Sequence, residues 1–107
     1  MHTFVGVKRV SFLMPENAEL KERRQIICKY RDTLTSKFNV SFSEIETDDK
    51  SQRSTIALSM VANDEQLIRT AFQQISNLIE RITTVRVVSD VNDVFRYEDE
   101  SEHAFLS

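Results

Sequence analysis

A chain of 107 residues has room for one domain and a short tail. Its net charge of −3 argues against a general nucleic-acid binder, while 40% apolar residues suffice for a core and 29% charged residues keep the surface solvated. One cysteine, Cys28, permits no disulfide within the chain. The N-terminus carries no basic segment followed by an apolar run, and no stretch approaches the roughly 20 apolar residues that cross a bilayer. The expectation is a cytoplasmic protein with no membrane contact. The charge is unevenly spread: residues 1–40 carry net +4, 41–89 net −2 and 90–107 net −5. A basic first third with an acidic end suits an anion on one surface and repels it elsewhere.

Residues 4–14 read as a first strand. Phe4, Val10, Phe12 and Met14 share one face with Lys8, and Val5, Val7 and Leu13 share the other. The lysine implies either a bulge or partial cover on both faces. Pro15 closes the strand. A helix follows over 20–37, with Asn17 as its cap and Glu19 suited to its positive end. Leu20, Ile27, Tyr30, Leu34 and Phe38 form its apolar stripe, with Ile26 at the edge. Residues 39–47 read as a second strand, with Val40 and Phe42 alternating against Ser41 and Ser43. Residues 48–52 make a polar turn.

The third strand, 53–62, turns Ile56, Leu58 and Met60 one way and Thr55, Ala57, Ser59 and Val61 the other. Asn63 caps a second helix, and Gln66 completes a capping-box spacing. Leu67, Ile68, Ala71, Phe72, Ile75, Leu78, Ile79 and Ile82 repeat at helical spacing. A valine-rich fourth strand occupies 84–95, and 96–107 reads as an acidic, mobile tail. Two strand–helix–strand halves joined by a short turn predict an α+β, ferredoxin-like βαββαβ domain over 1–95. Its four-stranded antiparallel sheet carries both helices on one face. The open face, with Val5, Val7, Ala57, Ser59 and Val61, is read either as a homodimer interface or as an ordinary mixed surface.

Chain direction gathers the basic residues. Fifteen residues of helix from Arg23 to Phe38 span about 22 Å. Seven strand steps from Asn39 to Glu46 span about 23 Å. Lys21, Arg23, Arg24, Gln52 and Arg53 should therefore meet at one end of the domain, joined by Arg81 from the end of the second helix. Arg23 lies along the apolar stripe, so it must emerge at that end or pair with Glu44 or Glu46. It is read either as a structural salt bridge with a snorkelling stem or as part of an anion site at a helix start.

Other chemistry finds little support. Cys28 is expected to be an inert, partly buried thiol. His2 and His103 lie near the termini, too loosely held for a general base. No Cys/His spacing suits a metal, and no cofactor is expected. Asp48 and Asp49 with Glu46 read as a solvated turn. Gly6 alone cannot make a phosphate-cradling loop. The third strand lacks the aromatics on which RNA bases stack in sheet-binding modules.

Four stretches carry a resemblance: Val5-Gly6-Val7, Leu20-Lys21-Glu22-Arg23-Arg24, Asn39-Val40-Ser41-Phe42-Ser43-Glu44 and Gln52-Arg53. In order and spacing over residues 4–95 the chain resembles the YlxP-like bacterial proteins, whose domain is of unknown function. The resemblance implies a ferredoxin-like fold and an association with translation or ribosome maturation. It supplies no catalytic residue. The chain departs from the family at Glu19, where a capping serine is usual, and at Ser51, where a large aromatic often precedes Gln-Arg. The leading expectation is a non-enzymatic binding protein for structured RNA or a ribosomal particle, with no DNA partner. The alternative is a homo-oligomeric interaction or regulatory module acting through the open face. A small-molecule or enzymatic site at the charged end lacks a nucleophile–base pair.

Overall fold

The computed structural model describes residues 2–48, 50, 52–82 and 84–97. Six elements follow the predicted order: β1 Thr3–Leu13, α1 Leu20–Lys37, β2 Ser41–Asp48, β3 Arg53–Ala62, α2 Glu65–Glu80 and β4 Arg86–Tyr97. The strands form one antiparallel sheet in the order β2-β3-β1-β4. Both helices cover one face, α1 against β2 and α2 against β1, β3 and β4. This is the ferredoxin-like α+β arrangement.

The core lies between helices and sheet. Val10 and Phe12 of β1 and Ile56, Leu58 and Met60 of β3 meet Ile27, Tyr30 and Leu34 of α1. From α2 come Ile68, Ala71, Phe72, Ile75 and Ile79. These are positions three and four apart, the stripe a helix must bury. Leu20 and Leu67, read as members of the two stripes, are exposed instead.

Lys8 did not disrupt β1. The pairing with β3 runs unbroken from Phe4↔Ala62 to Leu13↔Arg53, and Lys8 stands on the core face wholly buried. The irregularities lie elsewhere: at Ile45 in β2 and at Val88 in β4. β4 also continues through Arg96 and Tyr97, two residues assigned from sequence to the tail. The remaining tail positions, 98–107, lie outside the described residues, as does Asp49 of the turn.

Both helix caps differ from expectation. α1 begins at Glu19 with no side-chain cap, not at Asn17. α2 is capped by Asp64, one residue after Asn63, whose Oδ1 accepts the Gln66 backbone N–H at 2.9 Å. Gln66 does not complete a capping box; its amide donates to Thr70 Oγ1 at 3.3 Å.

Tyr30 packs edge-on against Phe12, with ring centroids 5.4 Å apart. Its hydroxyl is buried and has no hydrogen-bond partner among the described residues. Burial pushes the phenol above its ordinary value. A phenol whose folded pKa is raised leaves stability intact below the unfolded pKa, about 10, and erodes it above, where only the unfolded chain ionises. Tyr30→Phe is expected to raise stability by about 1–2 kcal/mol. It should also lessen the decline above about pH 10. Urea midpoints on either side of that pH check both.

Candidate functional site

The β2–β3 turn and the β1–α1 connection meet at one pole of the domain. Gln52, at φ 59°, holds them together. Its backbone carbonyl accepts the Met14 N–H at 2.9 Å, and its side-chain amide donates to the Glu16 carbonyl at 2.6 Å. A side chain read as an anion contact is thus committed to joining two loops. The turn is also tied by Asp48 Oδ1, which accepts the Lys50 N–H at 3.0 Å.

Around this tie the arginines collect. Arg23 and Arg24 line a cavity of about 160 Å³ with Leu20, Ile27, Glu44, Thr47 and Ser54. Arg23 is half-buried, with its Nε sealed from solvent. Of the two carboxylates considered for it, only Glu44 lies on this side. Ile45 is the extra residue of a bulge, so Glu46 pairs with Thr55 and falls on the opposite face. Thr47 Oγ1 donates to Glu44 Oε1 and holds that carboxylate at the cavity mouth. The cavity continues into a groove between α1 and β2, where Arg24 and Arg31 stand beside Phe42 and Ser43.

Arg53 is next to Ser54 in sequence but points to the open side of the sheet. There it pairs with Leu13, whose other neighbour is Arg86 of β4. Two strand spacings separate the two arginines, about 10 Å. Lys21 is exposed on the first turn of α1. Arg81 caps the C-terminus of α2, five residues before Arg86, and therefore lies at the same end. Arg86 had no motif to draw attention to it; its partnership with Leu13 depends on the bulge at Val88.

A second polar cluster lies at the edge of the core, where the buried Lys8 reaches half-buried and exposed partners on α2 and β4. The Lys8 ammonium donates to Asp90 Oδ1 at 2.7 Å, to Asn92 Oδ1 at 3.0 Å and to Ser76 Oγ. Ser76 donates in turn to Asp90 Oδ2 at 2.6 Å. Lys8 Nζ also stands 5.8 Å from the Phe72 ring centroid. Three protons meet three oxygens, so the amine has no lone pair for a base and no free donor for a ligand. The alternation of Asp90 and Asn92 within a valine-rich strand was the available signal for it.

Among the described residues no group of three or more His, Cys, Asp or Glu side chains could hold a metal. None of the described helices is long and apolar enough to cross a membrane. Cys28 is exposed rather than partly buried.

The model of a family described as "Protein of unknown function (DUF503)" matches residues 5–91. The chain belongs to that family. No curated protein matches this DUF503 chain. Its fold resembles that of protein YJCS, with a TM-score of 0.55 and 10% identity over 83% of this chain and 96% of that one. It also resembles putative chlorite dismutase TA0507, with a TM-score of 0.54 and 11% identity over 100% of this chain and 48% of that one. Protein HP0495 from H. pylori aligns with a TM-score of 0.45 and 16% identity over 81% of this chain and 79% of that one. At such identities the likeness is one of fold.

Proposed function

We propose that this DUF503 protein is a non-enzymatic binding protein that contacts structured RNA, in a ribosomal or translational setting, through the arginine-bearing end of its sheet. The observation that carries the reading is that guanidinium groups from separate elements share one end of the domain, on both sides of the sheet: Arg23 and Arg24 from α1 on the helix side, Arg53 from β3 and Arg86 from β4 on the open side, with Arg81 after α2. Guanidinium forks match phosphate oxygens, and several set on rigid elements track a backbone better than one flexible side chain. Glu16, Glu19, Glu44, Glu46 and Asp48 lie at the same end, so such contact falls to the individual guanidinium groups and not to a uniformly positive surface. The ribosomal setting comes from the resemblance to YlxP-like proteins.

The test uses purified small-subunit ribosomal RNA and the full chain. Arg23→Ala, Arg53→Ala and Arg86→Ala are each expected to weaken binding severalfold, consistent with loss of a charge-assisted contact. Arg69→Ala removes a charge of the same kind near the start of α2, away from the pole, where Arg69 pairs with Glu65 at 2.9 Å. It should leave affinity unchanged. Equal loss from all four substitutions, or none from any, would refute the pole as the RNA contact.

A further inference from the structure

The face of the sheet turned away from the helices is organised in rows by the strand register. Phe95, Val5 and Val61 form one row. Asp93, Val7, Ser59 and Ser41 form the next, and Val91, Arg9, Ala57 and Ser43 the third. Tyr97 stands beside Thr3 at the edge of the first. The apolar members are well exposed: Val61 and Val91 at 60%, Tyr97 at 55%, Phe95 at 44% and Val7 at 40%. Contiguous apolar surface of this kind marks an interaction site more often than a solvent face. The half contributed by β4 was not among the residues singled out from the sequence.

Charge and size both point to the occupant. Within these rows the charged side chains are Arg9 and Asp93, one of each sign, diagonal neighbours on adjacent strands. An apolar field bearing one cation and one anion can complement a copy of itself, because a two-fold axis midway between the charges sets each against its opposite. It suits a polyanion poorly, since Asp93 offsets the cation. Seven residues of β1, Thr3 to Arg9, across three to four strands give a flat footprint on the order of 400 Å². Side-chain relief raises the accessible area toward the ~800 Å² per partner of a stable interface.

We propose that a second copy of this chain docks on the open face, sheet against sheet, with Arg9 opposite Asp93 of the partner subunit. Arg53 and Arg86 stand on this same face beside Leu13, four residues along β1 from Arg9, while Arg23 and Arg24 lie on the helix side; the inference draws on Arg9, Asp93 and the apolar rows and not on RNA binding. Sedimentation velocity across a concentration series tests it. The wild-type chain is expected to dimerise, and Val61→Glu to weaken the dimer at least tenfold. Val61 is exposed, so the variant should retain its far-ultraviolet circular dichroism. Arg9→Asp and Asp93→Arg should each be monomeric alone and form a heterodimer when mixed, since like charges then face opposite ones only across the two chains. That mixing readout decides the matter even if Val61→Glu misfolds. A wild-type monomer at every concentration overturns the proposal. So does a dimer indifferent to Val61→Glu whose charge variants do not prefer each other.

Discussion

Lys8→Ala is expected to destabilise the protein by about 2–4 kcal/mol, from the void left by its buried stem and the hydrogen bonds lost at its ammonium. The wholly buried ammonium satisfies Asp90, Asn92 and Ser76 together. Without it, three oxygens lose their donor and the lysine stem leaves a void beside Phe72. Against a total of about 5–15 kcal/mol for a domain of ordinary stability, that is a large fraction. The cluster is costly to break but need not have been costly to replace. Lys8→Met combined with Asp90→Asn removes both charges while keeping most of the volume, and should be more stable than Lys8→Ala. Urea unfolding reads this as a lower midpoint at unchanged slope. A Lys8→Ala chain within 1 kcal/mol of wild type would mean that the network contributes little.

Gly6→Ala is expected to cost about 1–3 kcal/mol through overpacking. The backbone at Gly6 is in an ordinary strand conformation, so the reason for glycine is space and not φ. A Cβ there would strike Ile68 Cγ2 and lie 2.8 Å from Phe72 Cε2. Both neighbours are buried on α2, and neither is a flexible side-chain end that could swing aside. The helix lies this close to β1 because nothing protrudes at position 6. Phe72→Leu should relieve part of the clash. The penalty of Gly6→Ala is expected to be smaller in that background than in wild type, and the double-mutant cycle measures the difference. Equal penalties in both would show that the ring is not what the new methyl group meets.

These two positions also show what kind of information the sequence held. Alternation put Lys8 on the face of Phe4, Val10, Phe12 and Met14, where it was read as a bulge or as partial cover on both faces, and it assigned Gly6 no face. What it could not supply was the partner. Ser76, Asp90 and Asn92 lie between 68 and 84 residues away along the chain. The approach of α2 to Gly6 is likewise a fact of tertiary packing. Local signals did better where they were local. The polar turn and the stretch of alternation located β3 at Arg53–Ala62, and Pro15 with the helical stripe located α1 at Leu20–Lys37.

Bulges were the main loss. A single extra residue at Ile45 moves Glu46 to the far side of the sheet, and one at Val88 brings Arg86 alongside Leu13. Neither is announced by a glycine. The caps failed for a simpler reason: adjacent Asn63 and Asp64 are equally able to cap, and only geometry chose the second. The meeting of the β2–β3 turn with the start of α1 was legible because it follows from chain direction and element length. The tie made by Gln52 was not, since it rests on an amide reaching a backbone carbonyl 36 residues earlier.

The salt dependence of RNA binding, compared between the wild-type chain and an Arg53→Ala/Arg86→Ala double variant, tests the central claim most directly. If the pole neutralises phosphates, log Kd rises linearly with log salt concentration, and the slope for the double variant is lower by about two. Identical slopes, or affinity indifferent to salt in the wild-type chain, would contradict the account.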